Sequence, residues 1–322
     1  TGGDDEDWSE YSREATVWVE DGLDVINKRR KINLCVDLSA TPYYLARGGS
    51  EAYLPFPWIV SDFGLADAIE SGLVKIPQLP VQDTSDEDPP AYFKLWDWVV
   101  KKAALSDPKA KKGDPKPETV LLYAHQAIAM LAERWQADFK SWEAGKCLVH
   151  PEDAPGGENL DGSCGMLPLC TNRLRPPVFI IVCKNTKLSQ VLYEWIGEDR
   201  HEDNVAALGI PELRNVNGAL HTIRVDSKVA DASESDQART DELRWMRFTL
   251  DTVGMAEWPY SPDKGPVYPE GFAELADKMG KPKTPPGRDV RCIISVAMLT
   301  EGWDCNTVQY VVGLRPFGSQ LL

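Results

Sequence analysis

Five stretches of the chain are apolar, short and bounded by polar turns, the pattern of strands buried on both faces. They are KINLCVDLS (Lys31 to Ser39), PPVFIIVCKNT (Pro176 to Thr186), LHTIRVDS (Leu220 to Ser227), DVRCIISVAML (Asp289 to Leu299) and TVQYVVGLRP (Thr307 to Pro316). Pro42 ends the first and biases Thr41 to an extended backbone. Val74-Lys75-Ile76-Pro77 reads as a short edge strand or an extended exit.

Between the strands the period changes to that of a helix. Ser61 or Asp62 is placed to cap a helix with Phe63, Leu65, Ala66, Ile69 and Leu73 on one face, and Gly72 to stop it. Trp96 to Leu105 reads as helical. Val120 to Trp142 reads as a long amphipathic helix with Leu121, Ala124, Ile128, Leu131, Trp135 and Phe139 on its apolar side. Lys187 to Ile196 and Asp241 to Gly254 are further helices, the latter ended by Gly254. Apolar strands alternating with helices predict an α/β fold with a parallel sheet covered on both faces.

The same pattern divides the chain. Residues 1–78 read as the closing part of one α/β domain and 176–322 as most of a second. Residues 79–175 read as a linker and insertion. Pro80 to Pro90 is rich in Asp and Pro, SDPKAKKGDPKPE is a solvated basic loop, and Ala144 to Arg175 has many Gly, Pro and Cys and little periodicity.

Composition narrows the function. The 322 residues are 43% hydrophobic with 11 Trp, enough for real cores, and carry a net charge of −15. That excludes non-specific coating of nucleic acid through bulk charge, though not a local basic groove. No apolar run reaches the roughly 18 residues of a membrane span, and no secretory leader is evident. The seven cysteines are odd in number, and Cys35, Cys183 and Cys292 lie inside apolar runs. Reduced thiols packing as small hydrophobes fit a cytoplasmic protein. Thr1 and the acidic stretch after it read as the middle of a longer protein.

Candidate chemistry gathers where the predicted strands end. In a parallel sheet, ligands sit at the carboxyl ends of the strands. Three polar turns fall there: Ser39-Ala40-Thr41, Asn185-Thr186, and Thr300-Glu301-Gly302-Trp303-Asp304. Small hydroxyls can bond a phosphate or an acid, Gly302 allows close backbone approach, and Asp304 can orient a metal-bound water, a ribose hydroxyl or an arginine. Singly, Ser-Ala-Thr-Pro is also a common turn, and Thr300 and Asp304 also suit a helix cap and a turn.

Taken in order, VDLSATPYYLARGGS, PFPWIVSDFGLADAIESGLVKIP, FIIVCKNT and VAMLTEGWDCNTVQYVVGLRPFGSQLL resemble the superfamily two helicase motor. Within it, the restriction subunit of type III restriction-modification enzymes and its DEAD/DEAH-box relatives are the nearest likeness. The resemblance covers most of 31–78 and 176–322. It implies the P-loop NTPase helicase fold, with two RecA-like parallel sheets, of which the chain holds part of the first domain and most of the second. Ser39, Ala40 and Thr41 would be the motif coupling nucleotide state to DNA. Asn185 and Thr186 would close the first motif of the second domain. Thr300 and Glu301 would lie near the DNA backbone, and Gly302 and Asp304 near the nucleotide. The implied cofactors are ATP and Mg²⁺. The implied partners are double-stranded DNA and a methyltransferase subunit.

Departures from that pattern bound the reading. The chain has no Gly-x-x-x-x-Gly-Lys-Ser/Thr phosphate loop, and no Asp-Glu element for Mg²⁺ is recognised ahead of Ser39. The arginine-bearing motif expected after Arg315 to Leu322 is not in the sequence. Catalysis of phosphoryl transfer relies on such groups, so the expectation is that this segment alone does not turn over ATP while its parent protein does. No nuclease motif is evident.

Cys147, His150, Cys164 and Cys170 form a Cys-x₂-His-x₁₃-Cys-x₅-Cys set that could hold Zn²⁺ tetrahedrally, with free loop thiols as the alternative. Trp96, Trp98, Trp135 and Trp142 have helical spacing and read as packing against a neighbouring domain. Lys101, Lys102, Lys109, Lys111 and Lys112 read as a solvated patch, and His125 has no evident acid–base partner. The rival function is a non-catalytic scaffold module built on a degenerate motor fold.

Overall fold

The computed structural model describes residues 17–36, 38, 55, 58–76, 78, 91–106, 115–144, 175–200, 204–225, 236–296, 305 and 307–316. The chain divides into two compact units, Thr1–Gln78 and Leu79–Leu322. Its helices are α1 (Asp24–Arg30), α2 (Leu65–Glu70), α3 (Leu95–Ser106), α4 (Pro117–Glu143), α5 (Thr186–Ile196), α6 (Asp236–Asp251) and α7 (Phe272–Lys278). The strands are β1 (Val178–Cys183), β2 (Thr222–Val225), β3 (Tyr260–Ser261), β4 (Gly265–Pro266), β5 (Cys292–Ser295) and β6 (Val308–Leu314).

In the first unit a π-helical turn, Val17–Leu23, leads into α1. Asn27 ends α1: its carbonyl accepts from Lys31 N and its Oδ1 from Ile32 N, both at 3.0 Å. The strand expected over Lys31 to Ser39 is not formed by its described residues, 31–36 and 38. Leu34 is 79% and Leu38 97% exposed. A strand needs a ladder partner for its N–H and C=O groups, and these described residues form no sheet ladder. Val74 to Ile76 likewise forms no strand.

Helix α2 occurs where its periodicity placed it, but with a different cap. Ser61 and Asp62 lie outside it, and Gly64 is the N-cap, its N–H donating to Asp67 Oδ2 at 2.8 Å. The Asp67 carboxylate in the first turn reaches back to that amide, and its charge suits the helix N-terminus. Gly72, at φ +73°, ends the helix as expected.

The second unit is an α/β layer built on a four-stranded, all-parallel sheet of order β2-β5-β1-β6. Phe179 pairs with Cys292 and Val182 with Ser295, while Cys183 pairs with Leu314 and Val225 with Ser295. Alternation along the strands sends side chains to opposite faces. Phe179, Ile181, Cys183, Cys292, Ile294, Val312 and Leu314 join one core with residues of α3, α4 and α5. Val178, Ile180, Ile223, Val225 and Ile293 join the other with Val253 and Val290, and Met246 and Leu250 of α6 pack against it. Two buried faces are why these strands read as continuous apolar runs.

Helices α3 and α4, read in the sequence as part of a linker and insertion, belong to this same unit and its larger core. Trp96 and Trp135 are buried there, so the tryptophans pack on their own sheet layer rather than against a neighbouring domain. Trp135 Nε1 donates to Pro177 O at 2.9 Å, giving the indole its required partner. With 27 residues α4 is about 40 Å long, enough to run the depth of the sheet. Its far end meets β6 through Asp138, which accepts from Tyr310 OH.

Beyond the expected elements are the β3–β4 hairpin and α7. Phe272 of α7 is fully buried among Trp245, Phe248, Trp258 and Tyr268, its ring 4.7 to 5.8 Å from theirs. This aromatic packing secures the loop between α6 and β5.

Candidate functional site

All four sheet strands point the same way, so their carboxyl ends share one edge. From β1 the chain leaves through Lys184-Asn185-Thr186, from β5 through Val296, and from β6 through Arg315-Pro316. Lys184 N donates to Leu314 O at 3.0 Å, tying the exits of β1 and β6 together. The Lys184 ammonium lies 5.8 Å over the Trp96 ring, a cation–π contact that holds a positive charge at this edge.

Asn185 caps α5. Its backbone is extended, at φ −151°, and its Oδ1 accepts from Leu188 N at 2.9 Å. Thr186 opens the helix, and its carbonyl accepts from Ser189 Oγ at 3.0 Å. The carboxamide oxygen of Asn185 is thus committed to the helix, whereas Thr186 lines an open groove of about 490 Å³.

Pro117 and Glu118 from the start of α4 form one side of that groove. Thr186, Lys187, Gln190 and Val191 of α5 and Arg224 of β2 complete it. Arg224 reaches it because alternation turns Thr222 and Arg224 away from the face that takes Ile223 and Val225. Two helices open their N-termini toward the groove, and Lys116, the N-cap of α4, makes no side-chain cap bond. Lys187 and Arg224 line the groove together with Glu118.

Ser295 closes β5 on the same edge, between Val182 and Val225. It is 1% exposed, and its Oγ has no hydrogen-bond partner among the described residues.

Of the sequence-predicted residues, Asn185 and Thr186 stand at this edge. Ser39, Ala40, Thr41, Thr300, Glu301, Gly302 and Asp304 lie outside the described residues, as do Cys147, His150, Cys164 and Cys170. Among the described residues no group of three or more His, Cys, Asp and Glu is arranged for a metal ion. The described edge supplies neither a phosphate loop nor paired carboxylates, so ATP with Mg²⁺ has no complete seat among these residues. Lys187, Gln190, Arg224 and Glu118 escaped the sequence reading. Arg224 had a signal, being the lone charge inside the apolar run TIRV.

The shifted titrations lie away from the groove. Burial pushes the Cys292 thiol up to about 12, with a Thr222 hydrogen bond opposing. Burial and the bond to Asp138 hold the Tyr310 hydroxyl above its ordinary value. Burial lowers Arg291 despite Asp289 and Glu143 nearby, and its guanidinium stacks 5.2 Å from the Phe139 ring. These groups support the core and do not mark a reacting centre. His125, whose Nδ1 lies 2.7 Å from Leu122 O, is likewise occupied by its own helix.

Among the described residues no helix is long and apolar enough to cross a membrane. No family model, no curated protein and no solved structure matches the chain. Function therefore rests on the residues themselves.

Proposed function

We propose that this chain is part of an ATP-driven DNA translocase of the kind found in type III restriction subunits, its second unit being a RecA-like domain. The observation that carries this reading is the adjacency of β1 and β5. Val182 pairs with Ser295 in parallel register, so the segment Asn185-Thr186 and the segment leading to Thr300 and Asp304 leave the sheet from neighbouring strands at one edge. Ligand sites of open parallel sheets form at such edges. The order of the four motif-like segments along the sequence adds to it.

In this reading Thr186 and Thr300 contact DNA phosphates, with Asn185 and Glu301 beside them. Gly302 and Asp304 face the nucleotide, and Ser39, Ala40 and Thr41 relay nucleotide state to DNA. In this reading the catalytic phosphate loop, the Mg²⁺ ligands and the arginine finger are supplied from outside these 322 residues. ATP with Mg²⁺ supplies the driving reaction there; the residues of this chain position DNA and report cleft closure. Duplex DNA is the substrate track and a methyltransferase subunit the partner.

The test is ATP hydrolysis by the full-length protein with and without duplex DNA. Stimulation by DNA supports the motor. A folded protein that hydrolyses no ATP under either condition assigns the segment to the scaffold class instead.

A further inference from the structure

We propose that the turn at Asn217-Gly218 is a self-modification site, where the chain releases ammonia, turns Asn217 into isoaspartate and loosens the clamp that Asn215 places on β2. Neither the site nor its chemistry depends on the motor reading.

Local geometry marks the turn. Ala219 N donates to Val216 O at 2.9 Å, and Val216 and Ala219 form an isolated antiparallel bridge. Asn217 at φ +54° and Gly218 at φ +82° are both left-handed, which makes this a type I′ turn. It is the one Asn-Gly pair in the 322 residues, and both residues are exposed. A Cβ on Gly218 would meet nothing within 4 Å, and among the described residues the Gly218 N–H makes no hydrogen bond. The nitrogen is therefore bare, and opening so exposed a turn costs far less than opening the core.

The chemistry needs only base and water. The Gly218 nitrogen gives up its proton and attacks Asn217 Cγ. The new N–Cγ bond closes a cyclic imide as the carboxamide C–N bond breaks and ammonia leaves. Closure requires the Asn217–Gly218 peptide to rotate out of the turn, and glycine, with no Cβ, lets it. Water then opens the ring. Cleavage at Cγ gives aspartate; cleavage at the backbone carbonyl gives isoaspartate, whose main chain runs through Cβ.

The other described asparagines each lack a requirement. Oδ1 of Asn27 accepts from Ile32 N, that of Asn185 from Leu188 N, and that of Asn215 from His221 N and Thr222 N. Asn33 and Asn204 are followed by Leu34 and Val205, whose side chains crowd the attacking nitrogen. Position gives the conversion its consequence. The Asn215 carboxamide joins the two ends of the loop that carries the turn, Asn215 itself and His221-Thr222. Isoaspartate adds a main-chain atom and a negative charge between those ends. A two-residue type I′ turn has no slack for the extra atom, so the loop shifts against the clamp.

The experiment is incubation of the 322-residue chain at pH 7 and pH 9, beside Asn217→Gly, followed by peptide mapping that separates asparagine, aspartate and isoaspartate. The variant suits the same turn and has no carboxamide to react. Asn217 is expected to convert at least about tenfold faster than Asn185 or Asn215, whose bonded carboxamides are held away from the attacking nitrogen. Conversion is expected to be faster at pH 9. Hydrogen exchange at Ile223 to Val225 should speed up in the aged wild type and not in aged Asn217→Gly. A folded chain in which Asn217 stays intact, or converts no faster than Asn185, overturns the site. Conversion with unchanged exchange at β2 overturns the link to the clamp. Neither result bears on ATP hydrolysis by the full-length protein, which alone decides the motor reading.

Discussion

The backbone N–H of Gly287 donates to Thr252 Oγ1 at 2.9 Å, and Gly287 O accepts from Gly254 N at 3.1 Å. The pair fastens the loop that enters β5 to the end of α6. The Thr252 hydroxyl donates in turn to Phe248 O at 2.6 Å, so it serves as donor and acceptor at once. A Cβ on Gly287 would stand 2.2 Å from Thr249 O and 2.7 Å from Val253 N. Those neighbours are backbone and cannot yield as a flexible side chain would. Gly287→Ala is expected to cost about 3 kcal/mol or more. Thr252→Val, which leaves the Gly287 N–H buried without an acceptor, should cost about 1–3 kcal/mol. Urea titrations of the two variants beside the wild type check both. Equal midpoints would show that the loop is not fastened here.

Asn215 holds the start of β2 as a neighbouring strand would. Its Nδ2 donates to Thr222 O at 2.9 Å and its Oδ1 accepts from Thr222 N at 2.9 Å and His221 N at 2.8 Å. Asn215→Asp keeps the acceptor but loses the donor to Thr222 O, and sets a charge against that carbonyl. Its expected cost is about 2 kcal/mol. Because Asn215 anchors Thr222 at the start of β2, the same variant should also loosen the pairing of β2 with β5. Thermal melting and hydrogen exchange at Ile223 to Val225 read the two effects separately.

Thiol reactivity should divide by burial. Cys183 and Cys292 are buried, Cys35 is exposed and Cys305 half-buried. With its thiol raised to about 12 by burial, Cys292 carries almost no thiolate at pH 8. Mass mapping after brief iodoacetamide treatment should find Cys35 modified and Cys183 and Cys292 spared. All should react alike in denaturant.

The raised values of Cys292 and Tyr310 also predict how stability depends on pH. Both groups fold in their neutral forms, so the unfolded chain loses these protons at lower pH than the folded one. Their contribution is complete below the unfolded values, about 8.5 for Cys and 10 for Tyr, and falls as pH rises from there. Urea midpoints should fall between pH 9 and 11, chiefly through the fully buried Cys292, because solvent screens the half-exposed Tyr310. Tyr310→Phe should flatten the upper part of that decline, at the cost of the bond to Asp138.

The second unit was legible where burial and period agree. FIIVC, TIRV, CIIS and VQYVVGL are strands because two covered faces demand unbroken apolar runs. The long face from Leu121 to Phe139 is a helix because its spacing fits only that period. Lys31 to Ser39 has the same texture, yet its described residues are mostly exposed and form no strand. Local pattern specifies a preference for pairing; the partner is a tertiary fact. The allegiance of α3 and α4 was hidden for a related reason, since an amphipathic helix does not encode which sheet it covers. At the edge, Asn185 and Thr186 were legible from their place after an apolar run. Glu118 and Arg224, which come together across more than a hundred residues, were not.

The measurement that bears most directly on the motor reading is ATP hydrolysis by the full-length protein, with and without duplex DNA, beside its Asp304→Ala variant. The account predicts hydrolysis stimulated by DNA in the wild type, and a fall of about a hundredfold or more in the variant, the scale of losing an electrostatic group from a phosphoryl-transfer site. Stimulated hydrolysis that Asp304→Ala leaves untouched would contradict the place given to Asp304, and a folded wild type without hydrolysis would contradict the motor itself.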